Sequence, residues 1–137
     1  MNSVSMSQMI STVAAIGAVA ALGAAAIVRA APPAGDPVKG KAIFARCAIC
    51  HTVEPGKNKL GPSLAGVVGR VPASVPGFTY SAAMRADKVP WTVARLDGYL
   101  VNPRAMVPGT KMIFAGLPKP EDRANVIAYL ANPSAAK

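Results

Sequence analysis

The sequence predicts an all-α domain of three main helices and one short helix, joined by long loops that surround a bound cofactor. Apolar residues recur at helical spacing in three segments, and no segment has a convincing strand pattern. Residues 52–76 are rich in glycine and proline, and so long a loop is unusual unless it packs on something. Aromatic residues are only 5% of the 137-residue chain. A large, flat, hydrophobic cofactor would supply the core that these residues lack.

The first helix is predicted to begin at Asp36, with aspartate as N-cap and Pro37 at the first helical position. It is expected to run to about Cys47, with Gly40 and Phe44 on the same face as that cysteine. A glycine inside a helix costs up to about 1 kcal/mol relative to alanine. A close crossing with another helix is one reason to keep Gly40.

Three further helices are predicted downstream, over about 81–86, 92–101 and 120–131. Asn102-Pro103 ends the second of them and Asn132-Pro133 ends the third, since the residue before a proline is disfavoured in helical conformation. The segment 104–119 is predicted to be irregular. It contains a Pro-Gly turn at 108–109.

The first 30 residues have the features of an export signal. Residues 10–28 carry no charge, are rich in Ala and Gly, and lead into Val-Arg-Ala at 28–30. This predicts a signal peptide over 1–30, a linker at 31–35, a domain at 36–132 and a tail at 133–137. The absence of an early Lys or Arg and the length of the apolar run leave an uncleaved membrane anchor at about 10–28 as an alternative. Both interpretations place the domain in the periplasm.

The two cysteines and the single histidine lie together as Cys47-x-x-Cys50-His51, the pattern of a covalent haem attachment site. On a helical turn, residues three apart share a face, so both thiols can reach the two vinyl groups of one porphyrin. His51 is then placed to bind the iron. A thioredoxin-like dithiol would require a βαβ pattern, and structural zinc usually takes four Cys or His ligands. A disulfide between Cys47 and Cys50 stays open.

Seven motifs of this sequence match one known family in their order and spacing. They are CAICHTVE at 47–54, GPSL at 61–64, GR at 69–70, PGFTYS at 76–81, Trp91, NP at 102–103 and PGTKMIFAG at 108–116. Over residues 36–131 the chain resembles the class I cytochromes c, specifically the small bacterial electron carriers close to the mitochondrial protein. The resemblance implies the cytochrome c fold and one covalent haem c. It also implies that Gly40 and Phe44 cross Tyr129 and Leu130.

The resemblance implies that Met112 is the second axial ligand of the iron, opposite His51. Spacing alone does not choose among Met84, Met106 and Met112, since a methionine is usually core filler. His/Met ligation raises the reduction potential and leaves no vacant position for a substrate. The family also implies that the Pro62 carbonyl accepts a hydrogen bond from the His51 ring. Met84 departs from the family, which often has a water-binding asparagine there, and Met84 as iron ligand is a remote alternative.

Five more residues have roles implied by the resemblance. Arg70, Tyr80 and Trp91 would face the haem propionates as donors, whereas Tyr99 and Thr110 would line the methionine side of the haem. Arg70, Tyr80 and Trp91 each have an ordinary alternative, because Tyr and Trp are commonly half-buried with a satisfied polar tip and an arginine can be a solvated surface charge.

These expectations describe a one-electron carrier, not an enzyme, that takes electrons from a cytochrome bc complex and passes them to a terminal oxidase or a photosynthetic reaction centre. The formal charge of +9 has no dense basic run, which favours a basic face for acidic redox proteins over a nucleic-acid arm. That face is predicted to comprise Arg46, Lys59, Arg104, Lys111 and Lys119. The protein is expected to be a monomer. The alternatives are a membrane-anchored cytochrome c module of a respiratory supercomplex and a haem peroxidase.

Overall fold

The computed structural model describes residues 34–136, which form five α-helices, one 3-10 turn and no strand. The elements are α1 (Pro37–Phe44), α2 (Ala82–Ala86), α3 (Val93–Val101), α4 (Pro103–Met106), α5 (Pro120–Ala131) and the 3-10 turn Pro133–Ala135. The all-α prediction is confirmed. None of the helices in this part of the chain is long and apolar enough to cross a membrane. The predicted leader and anchor lie outside the described residues.

Helix α1 begins as predicted, but it ends earlier than predicted. The Asp36 side chain accepts hydrogen bonds from the N–H groups of Val38 and Lys39. The expected end at Cys47 is wrong, because the regular helix stops at Phe44. The N–H groups of Ala45, Arg46 and Cys47 each bond three residues back, which tightens the chain into successive turns.

The close crossing expected at Gly40 is present between α1 and α5. A Cβ atom added to Gly40 would lie 2.0 Å from the carbonyl oxygen of Asn125 and 2.8 Å from the Cβ of Tyr129. Beside it, the rings of Phe44 and Tyr129 pack with centroids 5.2 Å apart. The backbone N–H of Asp36 donates to the Asn125 side chain at 2.8 Å. The two terminal helices therefore meet nearly backbone to backbone.

The segment predicted to be irregular after Asn102 begins with a short helix, α4. Asn102 ends α3 and also caps α4, its side chain accepting from the N–H of Ala105 at 3.2 Å. Pro103 occupies the first position of α4, where its missing N–H costs nothing. The same two residues therefore stop one helix and start the next. The Pro-Gly turn that follows is present, with Gly109 at φ +89°.

A buried arginine on α5 fixes that helix to its neighbours. Arg123 is only 7% exposed, and its Nε donates to the Asp97 carboxylate on α3 at 2.8 Å. Its Nη1 donates to the carbonyls of Leu117 and Pro118 at 2.9 and 3.0 Å. Position 123 lies on the apolar face of α5, three residues before Val126. The helical pattern therefore contained a signal for a buried arginine that the sequence interpretation did not use.

Candidate functional site

The helices and the long loops enclose a mainly apolar cavity of about 440 Å³. The ten residues predicted to form the cofactor site all line it. They are Cys47, Cys50, His51, Pro62, Arg70, Tyr80, Trp91, Tyr99, Thr110 and Met112. The structure thus brings together residues that span 66 positions of sequence, from 47 to 112.

The two cysteines lie on one turn and face the same cavity. The backbone N–H groups of Cys50 and His51 both donate to the Cys47 carbonyl, at 3.0 and 2.9 Å. Both thiols are free and half-buried. Burial raises the pKa of the Cys47 thiol, more than the nearby Arg46 lowers it. Burial therefore favours the neutral thiol at Cys47.

The alternatives to haem at this motif find no support in the described residues. Cys47 and Cys50 form no disulfide. No group of three or more His, Cys, Asp or Glu side chains between residues 34 and 136 could hold a metal ion. A thioredoxin-like dithiol would need the βαβ pattern, and this part of the chain has no strand.

His51 is held in the tautomer that leaves its second nitrogen available. Its Nδ1 lies 2.7 Å from the Pro62 carbonyl, and because a carbonyl can only accept, Nδ1 carries the proton. Nε2 of the neutral ring is then a free lone-pair donor. Burial lowers the pKa of His51, outweighing the hydrogen bond to Pro62 that raises it. The geometry therefore favours a neutral imidazole that is ready to bind a metal.

Gly61 positions the imidazole by leaving room for it, a role that the sequence interpretation did not assign. A Cβ atom at Gly61 would lie 2.4 Å from Cε1 of His51. The Gly61 N–H donates to the Cys50 carbonyl at 2.8 Å, which ties this loop to the attachment motif. The Gly-Pro pair at 61–62 therefore both packs against the ring and accepts the hydrogen bond from its Nδ1–H group.

Met112 follows the Pro-Gly turn, and two polar side chains orient it. The Tyr99 hydroxyl donates to the Met112 sulfur at 3.4 Å and lies 3.5 Å from the Thr110 hydroxyl. The Thr110 oxygen accepts from the Met112 N–H at 3.2 Å. Burial raises the pKa of Tyr99, which keeps its proton available for the sulfur. Met84 also lines the cavity, whereas Met106 does not and is 39% exposed.

Arg70 brings a positive charge to the cavity wall. Its Nη1 and Nη2 donate to the carbonyls of Ala65 and Ser63 at 2.5 and 3.0 Å. Burial lowers the pKa of Arg70, but a guanidinium in this environment stays charged at neutral pH. None of the ion pairs within residues 34–136 involves Arg70. A cation without a carboxylate partner suits an anionic group in the cavity.

Tyr80 and Trp91 complete this side of the wall. The N–H of Trp91 donates to the Arg70 carbonyl at 2.9 Å, and the Trp91 carbonyl accepts from Gly69 at 2.7 Å, so the two segments are fastened together. The Tyr80 hydroxyl oxygen accepts from the N–H of Val75 at 3.4 Å. Its own O–H proton can therefore still be donated.

The five basic residues predicted to guide partners are all exposed, but only two lie at the cavity itself. Arg46 and Lys111 line it, whereas Lys59, Arg104 and Lys119 do not. Two large apolar side chains also line the cavity and yet face solvent: Leu60 is 82% and Ile113 is 87% exposed. The opening therefore combines basic and apolar side chains, and the apolar part was not predicted.

The residues present fit a covalently bound haem. Two thiols on one turn, an imidazole with a free Nε2 and an oriented thioether line a single apolar cavity. Its wall also contains Arg70, which has no carboxylate partner between residues 34 and 136. This donor set matches the attachment, ligation and carboxylate recognition that a haem with two propionates requires.

Comparison with known proteins also indicates a haem-binding protein. The cytochrome c family model matches residues 37–134. Cytochrome c2 of Rhodomicrobium vannielii is 56% identical over 99 residues, which are 72% of this chain and 79% of that protein. The cytochrome c-type cyt cy of Rhodobacter capsulatus is 56% identical over 97 residues, 70% of this chain but 48% of the relative.

A solved structure is also similar. Cytochrome cH from Methylobacterium extorquens superposes with a TM-score of 0.67 at 40% identity, covering 70% of this chain and 97% of its own. The family match spans every residue that lines the cavity.

Proposed function

This chain belongs to the cytochrome c family of haem c electron carriers, and we propose that its iron is bound by His51 and Met112. Haem c supplies an iron that exchanges one electron between its ferrous and ferric states. The chain is a carrier and not an enzyme, which sets aside the peroxidase alternative. The observation that carries the proposal is the convergence of both thiols, the His51 ring and the Met112 sulfur on one cavity.

His51 and its neighbours form the first half of the proposed site. The proton on Nδ1 is held by the Pro62 carbonyl at 2.7 Å, so the ring cannot switch tautomer without breaking that bond. A donated Nδ1 proton also makes Nε2 more basic and a better ligand. Gly61 lies against the ring and limits its rotation. These contacts orient the imidazole in advance, so little rearrangement accompanies electron transfer.

Met112 and its two hydroxyl neighbours form the second half. The Tyr99 hydroxyl donates to the sulfur, and Thr110 holds the backbone of Met112. A sulfur that accepts a hydrogen bond has less electron density to give to a metal. Tyr99 therefore modulates the ligand strength of Met112 while also holding its position. If His51 and Met112 both bind the iron, no position is left for a substrate, and the group would serve electron transfer.

The methionine assignment is tested by replacing each methionine of the domain in turn. We expect Met112→Ala to abolish the Fe–Met charge-transfer band of the ferric protein and to lower the reduction potential. Met84→Ala and Met106→Ala are the matched controls and should keep the band. Loss of the band in Met84→Ala with retention in Met112→Ala would transfer the ligand role to Met84.

For the propionates we propose Arg70, Tyr80 and Trp91 as donors. The guanidinium of Arg70 has no carboxylate partner among residues 34–136, and the Tyr80 hydroxyl keeps its proton free. Charge-assisted hydrogen bonds from arginine to a carboxylate are among the strongest in proteins. These three donors would hold the propionates. The other Lys and Arg side chains that line the cavity are Arg46 and Lys111.

The proposed partners are acidic redox proteins: a cytochrome bc complex as donor, and a terminal oxidase or photosynthetic reaction centre as acceptor. The exposed Lys111 and Arg46 line the opening together with the exposed Leu60 and Ile113. Basic residues steer the encounter, and apolar residues remove water from the contact. A transient complex of this kind needs only a small interface.

The partner surface is tested by its salt dependence. We expect Lys111→Gln to slow association with an acidic redox partner several-fold at low salt, with the difference vanishing at high ionic strength. Lys39→Gln is the matched control, since Lys39 is also exposed but lies on α1 and does not line the cavity. Equal effects of the two substitutions would show that only net charge matters and would contradict a defined docking face.

We propose that the domain is exported to the periplasm, with the leader 1–30 removed. The support is the signal pattern of the sequence and the likeness to a bacterial cytochrome c2. The intact mass of the purified protein tests this proposal, because it reports haem addition and leader removal together. A mass that includes both haem and residues 1–30 would favour the anchored alternative at residues 10–28.

A further inference from the structure

A nearly buried ion pair lies beside the cofactor cavity without being part of its wall. Arg95 on α3 pairs with Asp87, the residue that ends α2, and their side chains are only 16% and 13% exposed. The Arg95 guanidinium also donates to the Val89 carbonyl. It lies 4.5 Å from the centroid of the Trp91 ring, in a cation–π arrangement.

Trp91 connects this pair to the cavity. The indole is 6% exposed and lines the cavity. Its ring packs against Tyr99 with centroids 4.8 Å apart, and the Tyr99 hydroxyl donates to the Met112 sulfur. Two opposite charges therefore lie one aromatic layer behind the cofactor site. Charges that are mostly removed from water are screened less than surface charges, so their field reaches further.

We propose that the Asp87–Arg95 pair tunes the reduction potential of the haem by balancing one negative and one positive charge behind Trp91. The inference rests on the proposed binding of haem in the cavity. The reduced site carries one more electron than the oxidised site. A nearby positive charge therefore stabilises the reduced state and raises the potential, whereas a negative charge lowers it. In the pair the two effects partly cancel, with Arg95 also holding the indole in place.

A purely structural clamp makes a different prediction. Asp87→Asn and Arg95→Met break the same link, so a role limited to holding Trp91 would move the potential in the same direction in both variants. Charge tuning would move the two potentials in opposite directions. Asp87→Asn leaves the positive charge of Arg95 without its partner, whereas Arg95→Met leaves the negative charge of Asp87 without its partner. The guanidinium stays charged in Asp87→Asn, which makes this variant the cleaner of the two.

The test measures the midpoint potential of the haem-loaded full chain at neutral pH in four variants. They are Asp87→Asn, Arg95→Met, the double substitution Asp87→Asn/Arg95→Met, and Arg95→Lys. We expect the one-electron equilibrium to shift about threefold to tenfold toward reduction in Asp87→Asn. Tenfold corresponds to about 59 mV for one electron. Arg95→Met should lie below Asp87→Asn, with the double variant between them. Arg95→Lys keeps the charge and should lie near the unsubstituted protein.

Lys88→Gln is the control for net charge, since Lys88 is exposed and adjacent in sequence to Asp87. It should leave the potential almost unchanged, because solvent screens its charge. Trp91 is the only tryptophan, so its near-ultraviolet circular dichroism reports whether the indole keeps its packing in each variant.

Equal potentials in Asp87→Asn and Arg95→Met, or the reverse order, would overturn the proposal. Failure of the underlying site assignment would look different. The unsubstituted protein would then lack the Fe–Met band, whatever the order of the potentials in the variants. Arg95→Lys keeps the test usable if Arg95→Met does not fold, since it should match the unsubstituted protein while Asp87→Asn exceeds it.

Discussion

The pair of terminal helices and the shell of loops are built on different principles. Helices α1 and α5 meet through their own backbones and side chains, with Gly40 against Asn125 and Phe44 against Tyr129. The shell, residues 45–81 and 107–119, has little regular structure and forms much of the wall of a 440 Å³ cavity. The chain alone dictates the first region. We expect the second region to be fully packed only around the bound haem.

The lining of the cavity shows how the shell depends on its cofactor. Most of the side chains that line the cavity are apolar, and covering apolar surface with a bound group is favourable by about 25 cal/mol per Å². The haem is therefore as much the core of this protein as any side chain.

Removing the haem attachment should have the largest effect on stability, and it should affect the shell more than the pair of terminal helices. We expect Cys47→Ala/Cys50→Ala to lose cooperative unfolding, since haem is no longer anchored in the cavity. Amide hydrogen exchange should lose protection first across the shell, while some protection persists where α1 crosses α5.

The matched control is Ile49→Ala, which lies within the same motif but is 74% exposed and should leave exchange unchanged. A shell that stays protected without haem would show that the loops hold themselves together. It would remove the contrast between the two regions.

Gly40→Ala should have the next largest effect, because it acts on the terminal pair alone. The added Cβ would lie 2.0 Å from a backbone oxygen, so α5 has to move away from α1. We expect the free energy of unfolding to fall by about 3 kcal/mol, with the haem spectrum of the folded protein retained. Denaturant unfolding measures the change.

Gly56→Ala is the control for Gly40→Ala. A Cβ there meets nothing within 4 Å, but Gly56 has φ +74°, so only backbone strain of about 1 kcal/mol is expected. If Gly40→Ala lowers the free energy of unfolding no more than Gly56→Ala does, then α1 and α5 can move apart at little cost.

Arg123→Met should lower the free energy of unfolding by less than Gly40→Ala. It removes hydrogen bonds from α5 to α3 and to the segment before α5, but it neither opens a cavity nor forces a steric clash. The substitution leaves the Leu117 and Pro118 carbonyls without their donor and Asp97 without its partner. Asp97 is 35% exposed and can be solvated, so we expect a loss of about 2 kcal/mol. Arg123→Lys should recover only part of it, since one amine replaces the several donors of a guanidinium. No change in the unfolding free energy would refute the role of this arginine.

The same contrast explains what the sequence could predict. The attachment motif, the N-cap at Asp36 and the glycine at the helix crossing depend on neighbours in sequence or on helical spacing, and each was predicted from these signals. The end of α1 was misplaced because the C-cap depends on how the chain turns toward the cavity. The pairing of Arg95 with Asp87 depends on how α2 and α3 are placed, which local pattern does not encode. The contact of Gly61 with His51 likewise appears only once the loop folds back.

Gly98→Ala should have the smallest effect and gives the sharpest comparison with Gly40. Both glycines lie within helices, and a Cβ at either would meet an atom closer than 3 Å. At Gly98 that atom is the terminal methyl of Met106, at 2.7 Å, and Met106 is 39% exposed and free to move. Alanine is also the better helix former by about 1 kcal/mol. We therefore expect the free energy of unfolding to rise slightly, by less than about 1 kcal/mol, measured by the same denaturant titration. A loss as large as at Gly40 would show that Met106 is as fixed as backbone, and close packing would then extend from the terminal pair into α3 and α4.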